Sequence, residues 1–139
     1  MRHEALLLTL ALTACRPREP LRVGTYNIRN LGAEPTDLER LARVIVDVRP
    51  AALALQEVVD GAALTALEAR LSAQGAPRFA HLLARCGGKR TLHVGFLYDT
   101  TRVKLERAEE FPGLAPDGDG ACDGSDRAGL AANRRAINP

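Results

Sequence analysis

Apolar and polar residues alternate from Leu21 to Ile28, with Val23, Thr25 and Asn27 on one side and Gly24, Tyr26 and Ile28 on the other. A period of two predicts a strand. The period then lengthens. Leu38, Leu41, Ala42, Ile45 and Val48 form an apolar stripe at helical spacing. Thr36 with Glu39 three residues on has the form of a capping box, and Pro50 blocks continuation. Residues 51–55 are a short apolar run that predicts a buried strand ending at Gln56-Glu57. Asp60 can cap a second helix carrying Leu64, Leu67 and Leu71 on one face, with Gly75 near its C-terminal cap.

Further strands are predicted at 78–84 and 92–98, the latter with Leu92, Val94, Phe96 and Tyr98 sharing a face. The turn Asp99-Thr-Thr-Arg102 leads into 103–108, which reads as the second arm of a hairpin. Residues 112–126, rich in Gly, Asp and Pro, read as loop, and 127–132 can begin one more strand. Strands interleaved with two helices predict an α+β architecture or a sandwich with helices.

The N-terminus follows another pattern. Residues 5–13 (ALLLTLALT) are an apolar run too short to span a bilayer, which needs about 20 residues, but suited to the core of a signal peptide. The run ends in Leu12-Thr13-Ala14-Cys15, which resembles a bacterial lipobox with Cys15 as the lipidated residue. Glu4 in the n-region departs mildly from that pattern. The expectation is a signal segment at 1–15, a short linker at 16–20 (RPREP) and a folded region at 21–139. The protein would be exported and held to a membrane by its lipid. No protein partner is predicted.

Composition adds limits. The 139 residues are enough for one domain with a core, and with no Trp, two Tyr and three Phe that core must be built from Leu, Val and Ala. A formal charge of +2 gives no ground for nucleic-acid binding by net charge. With Cys15 lipidated, Cys86 and Cys122 remain, as a disulfide or as two free thiols; neither lies in a CxxC or metal-ligand spacing. His3 falls in the signal segment, His81 is placed on a polar strand face, and His93 precedes the predicted hairpin without a catalytic assignment.

Two strand ends carry candidate chemistry. Leu21 to Gly32 (LRVGTYNIRNLG) runs into Asn-Ile-Arg, and Ala51 to Asp60 (AALALQEVVD) runs into Gln-Glu. Separated by one capped helix and followed by Val94 to Val103 (VGFLYDTTRV), they resemble the first motifs of the DNase I-like endonuclease/exonuclease/phosphatase superfamily. The resemblance implies part of a four-layer α/β sandwich and a metal-dependent phosphodiesterase, nuclease-like by its Asn-Ile-Arg. Phosphodiester hydrolysis requires neutralising a phosphate that gains charge and activating a water. The resemblance makes Glu57 the principal ligand of Mg²⁺ (or Mn²⁺ or Ca²⁺), a hard cation that takes carboxylate oxygens and waters. It makes Asn27 a neutral partner that orients water or phosphate without adding negative charge. Arg29 matches a phosphate-contacting position, where a guanidinium suits phosphate through its forked donors. Arg127, in Ser-Asp-Arg-Ala-Gly-Leu, resembles the next such arginine, although Ala128 stands where the family carries Pro. The implied partner is nucleic acid or another phosphodiester, with inositol phosphates and sphingomyelin also within the superfamily.

The family's later motifs, a catalytic His, an Asp-x-Asn segment and a closing Asp-His pair, do not occur after Arg127. The reading therefore expects an N-terminal part of the domain, with independent hydrolysis very weak or nil. A competing reading is a non-catalytic lipoprotein module with a Ca²⁺-binding loop at 117–126, acidic but departing from the EF-hand at Cys122 and Ala128.

Overall fold

The computed structural model describes residues 20–33, 35–87, 92–111 and 129–137. The order is β1 (Val23–Leu31), α1 (Leu38–Val48), β2 (Ala52–Val58), α2 (Gly61–Ala73), β3 (Phe79–Leu83), β4 (His93–Asp99), β5 (Val103–Phe111) and β6 (Gly129–Ala136). The expected signal segment with Cys15, the acidic stretch at 117–126 and Arg127 lie outside the described residues.

Four strands form a mixed sheet in the order β1-β2-β4-β3, and β5 and β6 form a separate antiparallel ribbon. β1 and β2 are parallel, joined by the α1 crossover, whereas β2–β4 and β3–β4 are antiparallel. The architecture is thus mixed α+β, as the alternation of periods predicts. Both helices cover one face of the sheet. Ile28, Leu53, Leu55, Val58 and Leu97 point into that layer and meet Leu41, Ala42 and Ile45 of α1 and Leu64, Leu67 and Leu71 of α2. The three α2 leucines are fully buried at helical spacing. Burying side chains of this size contributes about 1.5–3 kcal/mol each, which makes this layer the main source of stability.

Helix ends follow the local chemistry. The N-cap of α1 is Asp37, whose carboxylate accepts from the Arg40 amide at 3.0 Å. The capping box predicted at Thr36 is thus displaced by one residue, because a carboxylate is an equally good acceptor and sits closer to the first turn. Val48, predicted in the buried stripe, is 48% exposed, since the helix ends before its last turn reaches the sheet. Arg49 closes α1 in the left-handed conformation (φ 51), giving its N–H to the Ile45 carbonyl before Pro50. α2 starts on Asp60, which accepts from the Ala63 amide at 2.9 Å, and ends at Gln74-Gly75, with Gly75 at φ 74. Gln74 Nε2 donates to the Glu39 carbonyl at 2.9 Å and to Glu39 Oε1 at 2.7 Å, tying the two helices together.

Two expectations are corrected. The turn after β4 forms, with Asp99 buried and accepting from Thr101 N and Oγ1 at 2.8 and 2.6 Å. Yet β5 does not pair with β4. It leaves the sheet and pairs with β6 from Val103↔Ala136 to Phe111↔Gly129. Phe96 and Tyr98 share one face of β4, as expected, and are half-buried there, while Leu97 on the other face enters the helix layer. His81 pairs with Leu97 in register, so it too lies on the helix side, where its Nδ1 meets Glu68 Oε1 of α2 at 2.8 Å. A hydrogen-bond partner on the facing helix lets a half-buried imidazole sit there. His93 Nδ1 is held by the Ala84 carbonyl at 2.7 Å, a structural contact. Cys86 is disulfide-bonded, and the cysteine it joins lies outside the described residues.

Candidate active site at the ends of β1 and β2

The parallel strands β1 and β2 run in step from Val23↔Ala52 to Asn27↔Gln56, then lose register. It resumes at Leu31↔Val58, so Ile28, Arg29 and Asn30 stand opposite Glu57 alone. On its other side β2 also carries an extra residue, with Gln56 and Glu57 facing Val94 between the pairs Leu55↔Gly95 and Val58↔His93. Bulges on both sides re-aim the side chains here. The backbone records it: Arg29 (φ 50), Asn30 (φ 55) and Glu57 (φ 61) all take the left-handed conformation. Non-glycine residues in that region cost on the order of 1–3 kcal/mol each, and such costs cluster where side chains must be held for function.

The result is a direct contact between two of the predicted residues. Asn27 Nδ2 donates to Glu57 Oε1 at 2.9 Å. The Asn27 side-chain oxygen accepts from the Arg29 amide at 2.9 Å, so the two bonds together fix which end of the amide faces the carboxylate. Beside them Gln56 Nε2 donates to Thr25 Oγ1 at 2.5 Å, bracing the strands one pair earlier. Among the described residues, the second carboxylate oxygen of Glu57 has no hydrogen-bond donor, and it is left to face solvent. Arg29 is exposed beside the pair and lines the same shallow cavity as Asn27.

The donors fit a hard cation. Mg²⁺ is commonly held by one or two carboxylates and keeps several waters, and Glu57 with Asn27 offers a carboxylate oxygen in an accessible, oxygen-only setting. Among the described residues no group of three or more His, Cys, Asp or Glu side chains converges, so a cation here would rest on Glu57 and water. Asn27, Arg29 and Glu57 are brought together; Arg127 lies outside the described residues. A residue that the sequence reading passed over also comes close: Arg40, at the start of α1, lines the cavity next to Asn27 and Arg29. Its signal was its position in the first turn of a helix that returns to the end of β1.

A second cavity of about 300 Å³ lies at the opposite end of the sheet, lined by Ile45, Arg49, Phe79, Asp99 and Arg102 among others. The carboxyl ends of parallel strands are where open α/β sheets bind ligands, and this cavity is at their amino ends. Arg102 is moreover committed to the carbonyls of Arg49 and Pro20. The Asn27–Glu57 pair is therefore the candidate site.

No family model matches the sequence, and no curated protein does. Solved structures do match the fold. An endonuclease/exonuclease/phosphatase family protein from Bacteroides thetaiotaomicron aligns with a TM-score of 0.59 at 17% identity, over 84% of this chain and 44% of its own. A mannosyl-6-phosphatase from the same organism aligns at 0.51 and 19% identity, over 66% of this chain and 36% of its own. A functionally unknown conserved protein from Enterococcus faecalis aligns at 0.54 and 17%, over 84% and 48%. The chain spans less than half the length of these proteins. Over that span, it has the mixed α+β fold seen in endonuclease/exonuclease/phosphatase family proteins.

Proposed function

We propose that this chain contributes the Asn27–Glu57 half of a divalent-metal-dependent phosphoesterase site of the endonuclease/exonuclease/phosphatase kind. The observation that carries the reading is the 2.9 Å bond from Asn27 Nδ2 to Glu57 Oε1 across two strand ends whose backbones are bent to make it. The fold likeness supports it independently. When bound, a divalent cation supplies charge neutralisation for the phosphate and a more acidic water. Glu57 holds it through a carboxylate oxygen. Asn27 orients that carboxylate with one amide hydrogen and keeps the other for a substrate oxygen. Arg29 meets the phosphate with paired donors. The base that takes the proton from water is to be supplied from beyond the described residues or from another chain.

Both phosphodiesters and phosphomonoesters are substrates of such chemistry. The Asn-Ile-Arg segment favours a phosphodiester such as nucleic acid; one of the structural neighbours is a sugar phosphatase, which favours a monoester. Titration with Mn²⁺ as a paramagnetic probe tests the metal role. Glu57→Gln is expected to abolish broadening of the resonances around residue 27, and retained broadening would remove Glu57 from the site. Export is part of the same reading. The disulfide at Cys86 favours an oxidising compartment, and Cys15 is the proposed lipid acceptor. Labelled palmitate is expected to enter the wild type in a bacterial host and not the Cys15→Ser variant.

A further inference from the structure

We infer that the groove between β1 and α1 is a subsite for a second phosphate of the substrate, gripped by Arg40 together with Arg29. The inference rests on the reading of Asn27 and Glu57 as the reacting centre, and it names what lies next to that centre. The groove is about 310 Å³ and is lined by Tyr26, Asn27, Arg29, Thr36, Arg40 and Val44, with Asp37 at its rim. It shares Asn27 and Arg29 with that centre.

Charge gives the groove its ligand. Two arginines and one aspartate line it, and the Asp37 carboxylate is already turned to the α1 N-terminus, accepting from the Arg40 amide at 3.0 Å. Among the described residues neither Arg29 nor Arg40 has a side-chain hydrogen bond or ion pair, and both are exposed. The arginine of the opposite cavity contrasts with them, since Arg102 is spent on two backbone carbonyls. Free, forked, permanently charged donors beside a phosphate-cleaving centre suit another phosphate. Arg29 is held by its left-handed backbone, and Arg40 by the first turn of a helix capped on Asp37. The two backbones thus present both arginines to the same groove. Tyr26 and Val44 add an apolar floor on which a sugar or base can rest. The second phosphate has two possible sources: the next nucleotide of a strand, or another phosphate on a small polyphosphorylated substrate.

The test measures binding without metal, so that it stands apart from the metal role of Glu57. Affinity for a short fluorescein-labelled single-stranded oligodeoxynucleotide is measured by anisotropy in EDTA, over a range of salt. Arg40→Gln is expected to weaken binding about threefold to tenfold. It should also lower the slope of log affinity against log salt by about 0.7, the loss of one phosphate contact on a single strand. Arg40→Lys keeps the charge and should restore the slope. Lys104→Gln, which changes an exposed cation on β5, should alter neither value. Inositol hexakisphosphate is used as competitor. If it displaces the oligonucleotide from the wild type and does so less well from Arg40→Gln, a small polyphosphate is a source; if only the oligonucleotide responds, a strand is. No binding by the wild type, unchanged binding in Arg40→Gln, or an equal loss in Lys104→Gln overturns the subsite. Failure of the Mn²⁺ titration alone would instead remove the metal reading and leave this result standing.

Discussion

Glu57 holds a backbone conformation that its own side chain disfavours, at φ 61, and does so beside the most exposed end of the sheet. A glycine would accept that conformation without a Cβ penalty. Glu57→Gly is therefore expected to be more stable than Glu57→Ala by about 1 kcal/mol in urea titration, even though both remove the carboxylate. Equal stabilities would mean that the bulge relaxes once the Asn27 bond is lost. At this scale the sequence was informative about identity and silent about geometry. Asn27 and Glu57 could be singled out as candidates because each ends an apolar strand in a recognisable motif. Their mutual bond could not, because it depends on register between strands separated by a helix. Arg40 escaped because an arginine in a helical first turn has the same local signature whether it faces solvent or a groove.

β4 shows what an element's pattern can and cannot say. Its alternation is strict, so the strand itself was predictable from 92–98, but both of its faces carry apolar side chains, and alternation alone does not say which face meets the helices. The same ambiguity put His81 on the wrong side of β3. Residue volume resolves it in the structure. Gly95 lies on the helix side where β3 crowds closest, and a Cβ there would come within 2.7 Å of the Leu82 carbonyl oxygen. Backbone cannot swing aside as a side chain can, so Gly95→Ala is expected to cost about 1–3 kcal/mol of stability by overpacking, measured as a lowered urea midpoint. An unchanged midpoint would show that β3 and β4 can part locally. The hairpin expectation failed for a related reason. The turn from Asp99 to Arg102 is built by side-chain bonds from Thr101 to Asp99, and such a turn reverses the chain equally well within a sheet or between two sheets.

Among the described residues, the four-stranded sheet has one face closed by helices, and on the other Ala54, Gln56, Phe96 and Tyr98 are partly buried. Val23 is 77% exposed on that side of β1. At the base of the β5–β6 ribbon the Ile137 amide donates to the Arg102 carbonyl at 2.9 Å, continuing the ladder one position beyond Val103↔Ala136. Further along the ribbon is joined to the loop after β3 by the Arg85 amide, which donates to Glu110. The overall class was readable from the succession of periods. The division into two sheets was not, because it is decided by which strand's edge is free when β5 arrives.

That division has a consequence in time. Among the described residues, β2 and β4 are each hydrogen-bonded to a neighbour on both sides, whereas the ribbon has two strands and therefore two edges and no interior. Strands whose amides are protected from one side only can open without disturbing the rest. Amide hydrogen exchange read residue by residue is expected to give two clocks: slow for Leu53, Leu55 and Leu97, and orders of magnitude faster for Leu105 and Glu109. The inner sheet would then keep its fold while the ribbon opens and closes many times.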